Sequence, residues 1–449
     1  MSKSVQPKDL NELYYGHGES CDCGDDDCKD AMHCVSTVEL ADEPLFNTSK
    51  LIKDALLNIY SNTNIQNGVE PNLWKISFDQ LNDAVDKGFG AVKYNTPDFG
   101  FVQELKHNNG VFAAFKAYDQ AEELRANLLN DKGKLKSFAQ FNKDTAHITA
   151  KHKRYRKTEY NTAVKRARSA QQFKEFQKTA HLYPNIKWTP SRSANPDAIH
   201  RGFYGTVLPI NDVFWQTNFP GSRYGCKCGW EVTDEEVTGM PENQPTPVPG
   251  LDKSPVATKS IFTQSHPVFK LSKQKKKAIT GVAESLIRNG STYIPRVIKG
   301  YANGGKILQS IQVDKAAADY SRVLKVAEFW ATQGDVVEIT PNLRTINHPL
   351  YKVVYKDLKD TKYWTKHPDL KRNGLFYEHE GFRTTNSNKA LRNMFNRGLK
   401  QSSRIVIEDC GITDKYLRRN IEGRITEGSA IDEVWILTKK ELRLFYKKD

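Results

Sequence analysis

The chain has 449 residues, 38% hydrophobic and 27% charged, with a mean hydropathy of -0.65. That is too long for one ordinary core and too polar for a helical membrane protein, and no run of about 18 apolar residues occurs. The formal net charge of +14 is uneven: residues 266–449 hold 35 Lys and Arg against 20 Asp and Glu, while residues 1–265 hold 32 against 33.

In chain order, Met1 to Leu10 has no apolar stretch of the kind that a cleaved secretion signal needs, so secretion is not expected. Residues 1–45 read as a polar arm. They contain Cys21, Cys23, Cys28 and Cys34, with His17 and His33 beside them. These side chains lie close enough to surround one structural Zn²⁺, although the spacing is not the paired CxxC of a zinc ribbon and a disordered arm is the alternative. The other cysteines are Cys226, Cys228 and Cys410. Seven in all, clustered and odd in number, argue against a disulfide framework and for a reducing compartment.

From 111 to 178 the pattern is helical, with Val111, Phe112, Phe115, Tyr118, Leu124 and Leu128 at helical steps. Asp131 to Gly133 breaks it, and a second, strongly basic stretch runs through Phe138, Phe141, Ile148, Tyr155 and Val164 to Phe176. Residues 184–235 change character, with Pro184, Pro190, Pro196 and Pro220 among short β-like runs, as expected of a loop-and-hairpin unit. Prolines 241, 245, 247 and 249 then mark 238–265 as an interdomain linker.

Beyond the linker, Lys275 to Arg288, Ala316 to Gln333 and Asn388 to Gln401 read as helices. Asp335 to Ile339, Tyr351 to Tyr355, Gly374 to Phe382, Arg404 to Glu408 and Glu433 to Leu437 read as strands or hairpins. The expected architecture is multidomain: an arm (1–45), a mainly α domain with a loop and hairpin subdomain (46–237), a linker (238–265), and a basic α+β domain (266–449). The basic surplus of that last domain suits nucleic acid, and equally a merely soluble surface.

The most specific stretch is Ala194-Asn-Pro196-Asp-Ala-Ile-His200-Arg-Gly202, then Phe214-Trp215, Asn218-Phe-Pro220, and Gly225-Cys226-Lys227-Cys228-Gly229-Trp230. Upstream lies Lys157-Thr158-Glu159. These residues resemble the phage head morphogenesis family typified by phage Mu protein F, also called the SPP1 minor head protein family, over about 50–235. The single Pro220 and the Lys227 between the cysteines depart from its usual two prolines and Cys-Arg-Cys. The resemblance implies a minor head protein of a phage or prophage that assembles with portal and capsid proteins. The expected location is the host cytoplasm during assembly and then the virion head. In the residues themselves, His200, Cys226 and Cys228 offer three zinc ligands, or else a hydrogen-bonded histidine beside two buried thiols.

The C-terminal residues carry a second resemblance, over about 315–445. Ala327 to Ala331, His367-Pro-Asp369-Leu, Asn373 to Glu378 and Gly398 to Ile407 look like the nuclease domain of CdiA-type contact-dependent toxins, grouped with barnase, EndoU, colicin and RelE nucleases. This implies cleavage of RNA, for example tRNA, ahead of DNA, and an immunity protein as partner. Asp369, Glu378 and Glu380 could gather Mg²⁺ or another divalent cation, although Glu380 stands where such sites place a lysine. Alternatively His379 serves as general acid or base while Arg392, Lys400 or Arg404 stabilises charge on a phosphate. A third reading makes Glu378 to Glu380 an ordinary strand face, and the C-terminal domain a binder of packaged DNA without catalysis.

Overall fold

The computed structural model describes residues 47–90, 92, 96–193, 196–242, 244, 246–290, 292–382 and 387–448. The arm with Cys21, Cys23, Cys28 and Cys34 lies outside the described residues. No described helix is long and apolar enough to cross a membrane. The chain divides into two compact units: the N-terminal residues with 104–286, and 92–103 with 287–449.

The first unit is built on helices α1 (Ser49–Ser61), α2 (Pro71–Phe89), α3 (Pro97–Arg125, from 104 onward), α4 (Phe138–Asp144) and α5 (Ala146–Lys178). Pro71 occupies the first turn of α2, where its missing N–H costs nothing, and the Glu70 carboxylate accepts from the Leu73 N–H at 2.7 Å. Helix α5 has 33 residues and spans about 50 Å. Its buried face runs through Ile148, Tyr155, Ala163, Ala167 and Ala170 at helical spacing, but it also includes His152, Arg156, Glu159 and Arg166. The small residues let α2 approach closely. A Cβ added at Gly88 would stand 2.3 Å from the Val164 carbonyl oxygen and 2.7 Å from the Ala167 Cβ.

After α5 comes a three-stranded antiparallel sheet in the order β2-β1-β3, formed by β1 (Asn185–Thr189), β2 (Val207–Pro209) and β3 (Gly229–Thr233). Single helical turns α6 (Ala198–Arg201) and α7 (Phe214–Thr217) lie between the strands in sequence. Trp188 pairs with Trp230 across β1 and β3, and both join Phe203, Phe214, Trp215 and Phe219 in one aromatic core.

The 238–265 stretch is a tether only in part. Residues 246 and 247 are exposed, but Leu251 and Ile261 are fully buried and the Phe262 ring stacks on Phe112 at 4.4 Å. The physical reason is Arg166. Its buried guanidinium donates to the carbonyls of Ile261 (2.6 Å), Gly221 (3.0 Å), Leu251 (3.2 Å) and Lys253 (2.6 Å). Residues 250–265 therefore belong to the first unit, and the boundary falls after Leu286.

The second unit is an eight-stranded mixed sheet whose strands lie in sequence order: β4 (Arg296–Gly300), β5 (Lys306–Gln309), β6 (Val336–Ile339), β7 (Leu370–Arg372), β8 (Leu375–Glu380), β9 (Arg404–Glu408), β10 (Glu433–Leu437) and β11 (Leu442–Lys447). The β5–β6, β8–β9 and β9–β10 pairs are parallel and the rest antiparallel. Each parallel pair needs a crossover. These are supplied by α10 (Tyr320–Thr332), α12 (Ser387–Gly398) and α13 (Asp414–Thr426), after α8 (Pro255–Thr258) and α9 (Lys273–Asn289), with the turn α11 (Tyr351–Val354) between β6 and β7.

Alternation along the strands then assigns the layers. Val406 joins the cluster of α10 around Trp330, while Ile405 and Ile407 join that of α12 and α13 around Phe395. Helices thus cover both faces of the sheet. The expected strand at Tyr351 to Tyr355 is a helical turn instead, because Leu350, Tyr351, Val354 and Tyr355 share one buried face at helical steps and the Tyr355 hydroxyl donates to the Pro341 carbonyl at 2.7 Å.

Two outcomes test these contacts. Arg166→Leu strips four carbonyls of a donor, three of them buried, and should cost about 3 kcal/mol or more in denaturant unfolding. It should also open new tryptic cleavage after Lys253 and Lys259 in the native state. Gly88→Ala should cost about 1–3 kcal/mol by the same measurement, since both α2 and α5 must shift to admit the methyl group.

Candidate functional site

Two constellations deserve separate description, one in each unit. In the first unit, Asp197 caps α6 by accepting from the N–H groups of Ile199 (2.9 Å) and His200 (3.1 Å), and Arg223 holds its other oxygen at 2.8 Å. This fixes the His200 ring, which is buried edge-on against Trp188 at 5.0 Å. Its Nε2 lies 3.2 Å from the Ser222 Oγ and its Nδ1 lies 3.6 Å from the Cys228 Sγ. The ligand atoms of His200, Cys226 and Cys228 all fall within 4.8 Å of one another. Cys228 is buried and Cys226 half-buried. Hydrogen bonding with Cys228, aided by His200 and Lys165, draws the Cys226 thiol well below its ordinary pKa; the same pairing and burial push Cys228 up. The Lys165 ammonium donates to the Cys228 carbonyl. Sequence reading singled out His200, Cys226 and Cys228, which the fold brings together, but not Ser222 or Lys165, which carry no motif.

Nearby on α5, Glu159 of the Lys157-Thr158-Glu159 motif forms a buried ion pair with Lys116 of α3 at 2.8 Å. His152, held neutral by burial with its pKa brought down to about 4, meets Glu123 at 2.8 Å. Burial works against the Glu123 charge, yet the bonds from His152 and Lys151 outweigh it and bring its pKa down to about 2. These ion pairs join α3 to α5.

In the second unit, a tight hairpin turn sets the geometry. Asn373 and Gly374, at φ 47° and 92°, close a two-residue turn between β7 and β8, the conformation such turns require. The register pairs Leu370 with Tyr377, which puts Asp369 beside Glu378. The Asp369 N–H donates to the Glu378 Oε2 at 3.2 Å, and the His379 N–H donates to the Asp369 Oδ2 at 3.1 Å. Burial raises the Asp369 pKa to about 7 and raises that of Glu378 well above its usual range, with each neighbouring carboxylate adding to the effect. The coupled pair therefore keeps at least one proton near neutrality. Asp369 opens onto a pocket of about 120 Å³ that Asp314, Asp319, Tyr320, Thr340 and Asn342 also line. On the other side of β8's backbone, burial and then Arg322 bring His379 down to about 4. Its Nε2 lies 3.5 Å from Glu408, which Arg322 holds at 2.9 Å.

The structure thus joins Asp369, Glu378 and His379 through backbone hydrogen bonds. The cations suggested for a phosphate are placed otherwise. Arg392 and Lys400 are exposed, and Arg404 pairs with Asp432 at 3.0 Å. Glu380, the third carboxylate suggested for a metal, is tied to Arg397 of α12 at 2.6 Å. Arg322, Arg397, Asp319 and Glu408 were not found from sequence, since they come from distant elements that only the sheet order brings near.

A 71-residue stretch is 28% identical to the "Putative capsid assembly protein F" of Escherichia phage Mu, covering 16% of this chain and 16% of that protein. The chain therefore aligns with about a sixth of the length of this relative. No solved structure matches. Residues 121–231 match the family described as Phage Mu protein F like protein, and this span, similar to that family, holds α4, α5, β1, β2, the start of β3, His200, Cys226 and Cys228.

Proposed function

We propose that the chain is a minor head protein of a phage or prophage, with the Mu F-like segment as its assembly module and portal and capsid proteins as its partners. The observation that carries this reading is the match over 121–231, supported by the way His200 and both cysteines of the matched span converge. The protein acts in the host cytoplasm during assembly and ends in the virion head. Its test is direct: purified heads should contain the chain, and deletion of its gene should sharply reduce filled particles. Heads that lack the chain and still form normally without it would remove the proposal.

A second reading, favoured by Asp369 opening onto its pocket, makes the C-terminal unit a phosphodiesterase acting on RNA or DNA. With its pKa near 7, Asp369 would supply a proton to a leaving oxygen while neutral His379 stands behind the same strand. Mg²⁺ at Asp369 and Glu378 is the metal-assisted form of this reading, and an immunity protein would be its natural antagonist. A basic unit that binds packaged DNA without cutting it is the alternative. Full-length protein incubated with tRNA, mRNA and duplex DNA, with Mg²⁺ or EDTA, separates them. Cleavage should be lost in Asp369→Asn, and its rate should decline as pH rises above about 7, because a general acid with a raised pKa is deprotonated there. Salt-sensitive binding without cleavage of any substrate would leave the unit as a binder.

A further inference from the structure

We propose that His200, Cys226 and Cys228 bind one structural Zn²⁺ that locks the loop unit onto β1 and β3. The inference goes beyond the assembly reading and does not rest on it. Three independent features of the site agree.

The first is spacing. Zinc bonds of about 2.3 Å to sulfur and about 2.0 Å to imidazole nitrogen, at a tetrahedral angle, separate the two ligand atoms by about 3.5 Å. The observed distance from the His200 Nδ1 to the Cys228 Sγ is 3.6 Å, and all three ligand atoms fit within 4.8 Å. The second is the hydrogen bond on the far side of the ring. When the His200 Nε2 donates to the Ser222 Oγ at 3.2 Å, the tautomer leaves the Nδ1 lone pair aimed at the thiols, the arrangement by which outer partners orient a metal-bound histidine. The third is the enclosure. Trp188, Phe203 and Trp230 line the core that contains the cysteines, and this excludes water from the buried side while half-buried Cys226 keeps an approach open. Three protein ligands leave a fourth position for water.

The chain has other cysteines, so the test uses the full-length protein with Cys21, Cys23, Cys28 and Cys34 all changed to Ser. This variant, purified under reducing conditions, should retain one zinc per chain by elemental analysis. Exchange for Co²⁺ should give thiolate charge-transfer and tetrahedral ligand-field bands. Cys228→Ser in that background should abolish both signals. Ser222→Ala, which keeps all three ligands, should weaken zinc affinity about 10-fold or more in competition with a chromophoric chelator. That variant keeps the test decisive if Cys228→Ser fails to fold. A folded four-Ser variant that takes up neither zinc nor cobalt would overturn the proposal, as would a Cys226–Cys228 disulfide that persists in freshly isolated, metal-free protein.

Discussion

The first unit hangs on one turn of α5. Arg166 gives its guanidinium to four backbone carbonyls at once, and its ring-facing side rests 5.0 Å from Phe219. A buried charge is tolerable only when it is well hydrogen-bonded or paired, so the four carbonyls and the arginine depend on one another. Lys165 and Ser169, on the same turn, take the carbonyls of Cys228 and Pro220. Three side chains of one helix thus fix residues 220, 221 and 228. Ser222, next along the chain, reaches His200. Gly221 has φ 110°, and a Cβ there would stand 3.2 Å from the Arg166 Cγ, so the loop needs glycine both for conformation and for approach. The convergence of histidine and cysteines is therefore a consequence of how α5 grips the loops.

The two units bury charge in different ways. Between α3 and α5 the charges are paired, Lys116 with Glu159 and Glu123 with His152 and Lys151. Such pairs offset desolvation without guaranteeing net stability, but removal of one partner leaves the other stranded. In the sheet of the second unit, Asp369 and Glu378 have backbone N–H donors and each other, and they answer burial by keeping protons. The first arrangement suits a rigid scaffold. The second places an acid with a near-neutral pKa at the edge of a pocket.

How far the sequence revealed this follows from where its signals were local. Strands β6, β8, β9 and β10 and helix α12 were legible because short apolar runs and an amphipathic stripe record their own burial. The prolines and short β-like runs of 184–235 likewise announced a loop unit, and the His200, Cys226 and Cys228 motif pointed to side chains that meet in space. Tyr351 to Tyr355 misled, since β-branched and aromatic residues read as a strand whereas its tyrosines and valine pack at helical steps. Arg166 was invisible. In Lys165-Arg166-Ala167-Arg168 it looks like one more residue of a solvated basic face, and of the four only Arg168 is exposed. Missing Arg166 is also why residues 250–265 looked like a tether, for the prolines were local evidence and the arginine's reach of 85 to 95 residues was not.

Two buried histidines show what burial alone leaves undecided. His200 and His379 are both nearly inaccessible to solvent. Burial brings His379 down to about 4, and among the described residues its ring nitrogens have no hydrogen-bond partner, with the Glu408 carboxylate 3.5 Å from its Nε2. Such a ring is neutral near pH 7 and lies beside the Glu408–Arg322 pair. His200 is the reverse case. One nitrogen is fixed by a hydroxyl and the other by a thiol, and the ring has lost its freedom in favour of a direction. The same degree of burial thus leaves one imidazole with both nitrogens directed, one of them toward a thiol, and the other beside a carboxylate that an arginine already holds.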